Sequence, residues 1–268
     1  MGSSSHDNMS FLEHLEELRW HIIRSLIAIV SAGFICFLMK DFIFDTIIFG
    51  PKKMDFPTYK FLCQAATFIG VETTFCGDEF PFIVQNRTMA GQFSAHVMTS
   101  IISGFIISFP YILYEFWKFI SPGLLEKEKA KSRGFIFVSS MLFFIGVLFG
   151  YYIISPLSIN FLGTYQVSSQ VLNEIDLGSF ISLVRSSAIA SGIIFELPII
   201  IYFLTKAGVV TPESLVKYRK YALVLVLVLA AIITPPDVAS QIIVAIPIVV
   251  LYQVSIFISR IVIKNQTK

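Results

Sequence analysis

The chain has 268 residues, of which 55% are apolar, 15% aromatic and only 14% charged, and its net charge is +2. An ordinary soluble domain is about one quarter charged, so this composition excludes one, and the near-neutral balance excludes a general nucleic-acid binder. What remains is an integral membrane protein in which the few charges matter by position.

Residues 1–8 are a polar lead, read as disordered or as a tag remnant. The stretch MGSSSHDNMSFLEHLEEL has no basic n-region, so no signal peptide is expected. Met9–Trp20 reads as a short amphipathic helix, with Ser10 and Glu13 spaced as a capping box. The first apolar run, Ile22–Met39, is about 27 Å long as a helix and can span a bilayer. Arg24 at its start is placed to snorkel to the surface.

Lys40–Gln92 is a long polar excursion, yet it holds Phe61, Phe68, Ile69, Val71, Phe75, Phe80 and Phe82. That apolar content is too high for disorder, so an external folded cap is expected. Cys63 and Cys76 lie within it. Outside the cytoplasm the two can pair in a disulfide; two free thiols are the other reading.

Phe93–Leu113 and Phe135–Ile154 are the second and third spans, separated by the charged island Tyr114–Arg133. Pro122-Gly123 divides that island, which argues for a folded cap rather than a plain hairpin. Ser155–Ser179 is a connection, and Phe180–Leu204 is the fourth span. Thr205–Lys220 is a basic-flanked loop in which Thr211-Pro212-Glu213 reads as a capped helix start. Tyr221–Thr234 is about 21 Å long as a helix, short of a hydrocarbon core of about 30 Å. It ends at Pro235-Pro236, and the chain returns through Ala239–Ile258, interrupted by Pro247.

Cytoplasmic loops collect Lys and Arg. Most of the 20 Lys and Arg fall on one side if both termini are cytoplasmic: Arg19, Arg24, the island, the 205–220 loop and the tail at 263–268. The expectation is an all-α membrane protein with six transmembrane helices in one domain, residues 9–262. The bundle is expected to be cupped, its last two helices short and both termini cytoplasmic.

Glu196 stands inside the fourth span, two residues before Pro198. A carboxylate at that depth must be protonated, paired or facing a wet cavity, which marks it as a contact point for a partner or substrate. Arg185 and His96 lie near span ends and read as snorkelling or satisfied polar residues. On the cytoplasmic side, Glu13, Glu16 and Glu17 precede the first span, and Glu126 and Glu128 lie in the island. Fixed carboxylates bind guanidinium groups bidentately, so a cationic peptide is a reasonable ligand. No nucleophile elbow, metalloprotease helix, phosphate loop or histidine cluster is present, so no enzyme, cofactor or metal is expected. A proton-coupled secondary transporter with Glu196 as relay is the alternative, but no internal repeat supports it.

Phe11-Leu12-Glu13-His14-Leu15-Glu16-Glu17-Leu18-Arg19 closely resembles the amino-terminal motif of the TatC family, the core subunits of the twin-arginine protein translocase. Four ordered stretches extend the likeness: Tyr114–Ile120 with Pro122-Gly123-Leu124, Phe195-Glu196-Leu197-Pro198, Thr234-Pro235-Pro236-Asp237-Val238 with Gln241, and Ala245-Ile246-Pro247. The resemblance runs from about residue 9 to 262. It implies a non-enzymatic receptor and pore component, in the bacterial cytoplasmic membrane, for folded proteins bearing twin-arginine signal peptides. Transport would be driven by the proton-motive force. By the same resemblance Glu17 and Glu128 engage the paired arginines, and Arg19 and Phe119 share that surface with Glu13 and Glu126. Glu196 faces a groove used by single-span TatA- and TatB-like partners, and Asp237 and Gln241 lie near a partner site. Self-association in a receptor complex is also implied. The Lys40–Gln92 excursion is longer than the resemblance leads one to expect.

Overall fold

The computed structural model of the chain describes residues 11–70, 74–77, 79–120, 132–168, 170–233 and 238–266. Its helices are α1 (Phe11–Leu38), α2 (Pro57–Ile69), α3 (Gly91–Ile120), α4 (Ser132–Phe149) and α5 (Ser155–Thr164), followed by α6 (Leu177–Phe195), α7 (Leu197–Lys206), α8 (Pro212–Lys217), α9 (Arg219–Ile233) and α10 (Val238–Gln266). Two short strands, β1 (Ile83–Gln85) and β2 (Glu174–Asp176), pair in parallel with Val84 opposite Ile175. Among the described residues, five helical stretches are long and apolar enough to cross a membrane: Leu15–Leu38, Gly91–Ile120, Gly134–Thr164, Leu177–Lys206 and Gln241–Lys264. The chain is a multi-pass, mostly helical membrane protein.

Several expectations from the sequence change here. The amphipathic segment at 9–20 and the first span are one continuous helix, α1, because Arg19 to Arg24 carries no Gly or Pro to break it. The third span does not stop at Ile154: it passes through a π-helical turn at Gly150–Ile154 and runs on through α5 to Thr164. Pro156 sits in the first turn of α5, where its missing N–H costs nothing. The fourth span, Leu177–Lys206, is one apolar stretch as expected, with a one-residue interruption at Glu196 between α6 ending at Phe195 and α7 starting at Leu197. Only the first member of the last pair is short. α9 has 15 residues, whereas α10 has 29 and carries Pro247 in its interior without ending. The capping serine expected at Ser10 and the turn at 234–237 lie outside the described residues.

The chain divides into two compact units, Met1–Lys40 with His96–Met141, and Asp41–Ala95 with Leu142–Lys268. In the first, α1 and α3 run antiparallel, with contacts at matching intervals. The rings of Phe37 and His96 stack at 4.0 Å, and His96 Nε2 lies 3.0 Å from the Phe37 carbonyl oxygen. Gly33 and Gly104 allow the closest approach: a Cβ added at Gly104 would meet Gly33 N and Ile29 O at 2.5 Å. Ser108 Oγ then donates to the Ala28 carbonyl at 3.0 Å.

In the second unit, α7 and α10 pack along their length, joined by a buried Thr205 to Ser259 hydroxyl bond of 2.9 Å. A core of Ile154, Val226, Ala230, Val244, Ala245 and Ile248 seats α9 and α10, with Phe149, Ile194 and Leu197 against it. α8 begins as the sequence predicts: Thr211 and Ser214 cap each other, and Pro212 occupies the first turn. Residues 41–90 fold onto the end of the third span. Tyr59 is fully buried and donates to the Pro51 carbonyl at 2.9 Å and the Pro156 carbonyl at 3.0 Å. Burial pushes its phenol pKa up from the ordinary tyrosine value. Thr58 donates to the Tyr152 carbonyl, and Tyr151 donates to that of Ile47 at 2.8 Å. A disulfide joins Cys63 in α2 to Cys76 in the following turn.

Candidate functional site

The amino-terminal turns of α1 are acidic, with Glu16 and Glu17 in its second turn. Glu16 is exposed and holds Arg19 at 3.4 Å, an ion pair open to solvent on both sides and so a weak one. Arg19 also lies 5.7 Å from the Trp20 ring centroid. Glu17 is half-buried. One turn further on, the chemistry changes. Glu115 of α3 is 2% exposed, and its Oε2 lies 2.6 Å from His21 Nδ1 and 3.4 Å from Arg24 Nη1, both on α1. Tyr111 lies one turn before Glu115 on the same stripe of α3. Phe119, one turn beyond Glu115, meets the His21 ring edge-on with centroids 6.2 Å apart.

The local sequence explains this geometry. Gly104, Ser108, Tyr111, Glu115 and Phe119 recur every three or four residues, so they share one stripe of α3. The small residues at 104 and 108 draw α1 in, and the same stripe then carries Glu115 into the contact. A buried carboxylate must be paired, and His21 and Arg24, three apart on α1, supply the partners. This cluster was not singled out from the sequence, where Glu115 appeared as a charge of the island and within the Tyr114–Ile120 motif with no role of its own. The signal was present as a carboxylate in register with a stripe of small residues.

Of the residues expected at a cytoplasmic recognition surface, Phe119 reaches α1 at His21, one turn after Glu17 on the same face, while Arg19 pairs with the exposed Glu16 on another face of that end of α1. Glu126 and Glu128 lie outside the described residues, as does the side chain of Glu13. Glu196 and Gln241 belong to the second unit. Glu196 is 8% exposed and is the joint between α6 and α7. Its N–H bonds back to Ile193 at 3.1 Å, while its carbonyl accepts from Ile199 and Ile200 at 2.9 and 3.0 Å. Pro198 cannot donate to an upstream carbonyl, which is why the α-helical ladder is interrupted here. Ile194 and Leu197 on either side pack against the core. Gln241 Nε2 donates to the Leu227 carbonyl at 3.1 Å, tying α10 to α9. Asp237 lies outside the described residues. Among the described residues no group of His, Cys, Asp or Glu is arranged to hold a metal ion.

Residues 13–247 match the family model of the Sec-independent protein translocase protein, TatC. The chain belongs to the TatC family. It is 46% identical over 261 residues to the TatC of a Blattabacterium from Periplaneta americana, covering 97% of this chain and 98% of that one. With the TatC of Aquifex aeolicus it shares 36% identity over 255 residues, 94% of this chain and 95% of that protein. It also resembles two crystal structures of a twin arginine translocase receptor, TatC. One superposes with a TM-score of 0.68 at 33% identity, covering 93% of this chain and 99% of the other. The second, in DDM, gives 0.70 at 36%, with 91% and 98% covered. The motif resemblance read from the sequence is therefore a family relationship over nearly the whole chain, and TatC membership makes this a component of a protein translocase.

Proposed function

We propose that this TatC-family protein is the receptor for twin-arginine signal peptides and the core of a machine that moves folded proteins across the bacterial cytoplasmic membrane on the proton-motive force. The observation that carries the reading is Phe119 set against His21, one turn after Glu17 at one end of the α1–α3 pair, with Glu115 already occupied by His21 and Arg24. A carboxylate that is spoken for does not compete for ligand. The half-buried Glu17 remains placed to take a guanidinium in a site partly shielded from water, where charge-assisted bonds are strongest. Glu128 is its proposed companion for the second arginine, with Glu13 and Glu126 adding negative potential.

In this reading the chain crosses the membrane six times, α9 being the short fifth span, with both termini cytoplasmic. The disulfide supports that orientation, since a bonded Cys63–Cys76 pair suits an oxidising outer compartment. Single-span TatA- and TatB-like partners act near Glu196, Asp237 and Gln241, and the protein performs no catalysis. The test is import of a folded reporter carrying a twin-arginine signal into inverted membrane vesicles that contain the protein and its partners. Import must stop when an uncoupler collapses the proton gradient and persist when nucleotide is removed. It should fall at least tenfold for Glu17→Ala. Import that survives the uncoupler, or that is untouched by Glu17→Ala, overturns the proposal.

A further inference from the structure

We infer that α2 is an interfacial helix, seated in the phospholipid headgroup region beside the end of the third span. At about 100° per residue, α2 presents three sectors. One carries Tyr59, Leu62, Cys63 and Ala66, turned inward. It is fastened by the Tyr59 bonds to Pro51 and Pro156, by the Thr58 bond to the Tyr152 carbonyl, and by the disulfide to Cys76. A second sector carries Phe61 and Phe68, which are 70% and 93% exposed. The third carries Lys60, Gln64 and Thr67, all exposed.

Water is a poor neighbour for the second sector, and the fastenings decide what its neighbour is. Tyr152 and Pro156 lie about 20 residues into the Gly134–Thr164 helix, the length at which a helix completes a crossing of the hydrocarbon core. Tyr151 and Tyr152 stand at that level, as aromatic residues with polar tips do where hydrocarbon gives way to headgroups. Lys60 on the adjoining sector, with Lys52 and Lys53 just upstream, suits phosphate headgroups beside an apolar sector turned to lipid. An apolar flank, a basic polar flank and a third flank locked to a span form the pattern of a helix lying in the interface plane. Gly70, at φ +75°, ends the helix in the left-handed conformation that favours glycine.

The test places a photoreactive benzoylphenylalanine at Phe61, Phe68, Gln64 or Thr67 of the full chain. Each variant is reconstituted in vesicles of phosphatidylethanolamine and phosphatidylglycerol, irradiated and analysed by mass spectrometry. Phospholipid adducts at 61 and 68 should exceed those at 64 and 67 at least fivefold. Adducts to a second copy of the chain, equal yields at all four positions, or no lipid adduct at 61 and 68 would each overturn the inference. Because the readout needs neither signal peptide nor transport, failure of the receptor proposal leaves this result intact.

Discussion

Replacing His21 by Ala strands the Glu115 carboxylate in the α1–α3 contact, where its side chain is 3% exposed. Breaking a buried ion pair from one side costs about 3–5 kcal/mol, because the abandoned charge keeps its desolvation penalty. Here the cost is lower. Arg24, at 3.4 Å and with a half-exposed side chain, still faces the carboxylate. What is lost is the 2.6 Å bond, so a destabilisation of about 2–3 kcal/mol is expected. Removing both partners, His21→Leu with Glu115→Leu, replaces charge by apolar volume and should cost less than His21→Ala alone. The measurement is a double-mutant cycle from unfolding in mixed micelles. It is followed by the fluorescence of Trp117, which is buried against Phe135 in the same unit. A coupling of about 2 kcal/mol is expected. Additive single effects, with coupling below about 0.5 kcal/mol, would show that the pair does not hold the two helices together.

Gly104→Ala should cost about 1–3 kcal/mol, because the new methyl meets α1 backbone, while Gly134→Ala, with nothing within 4 Å, should cost nothing comparable in the same titration. Tyr59→Phe leaves the buried carbonyls of Pro51 and Pro156 without their shared donor, for about 1–2 kcal/mol. Faster hydrogen exchange across α2, with α10 unchanged, would confirm it. Maleimide labelling under denaturing conditions should modify one thiol, Cys36, before reduction and three after it. Opening a bridge between residues 13 apart should then lower the stability of the 41–90 segment by about 3 kcal/mol, read as earlier proteolytic cutting.

What was legible in the sequence follows from which forces are local. Apolar runs of span length, the Thr211 cap and the short helix α9 could be read because hydropathy and capping act within a few residues. Helix ends were less legible. Pro247 looked like an interruption but is carried within α10, whereas Pro198 follows a one-residue break in the α-helical ladder of its span. Proline marks a missing donor, and tertiary packing decides whether the helix absorbs it. The β1–β2 pairing joins segments about 90 residues apart, and each strand is too short to show alternation. At the candidate site, Glu17, Arg19 and Phe119 were found through family motifs. Glu115 with His21 was not, because its role depends on a helix contact that no single segment contains.

Crosslinking the purified protein to a twin-arginine signal peptide, beside a version carrying two lysines, tests the receptor reading most directly. Lysine keeps the charge but loses the planar fork that pairs with a carboxylate. Arginine-specific crosslinking that is lost in both Glu17→Ala and Glu128→Ala is the expected result. Equal crosslinking of the two peptides, or indifference to either substitution, would contradict a receptor site built on these carboxylates.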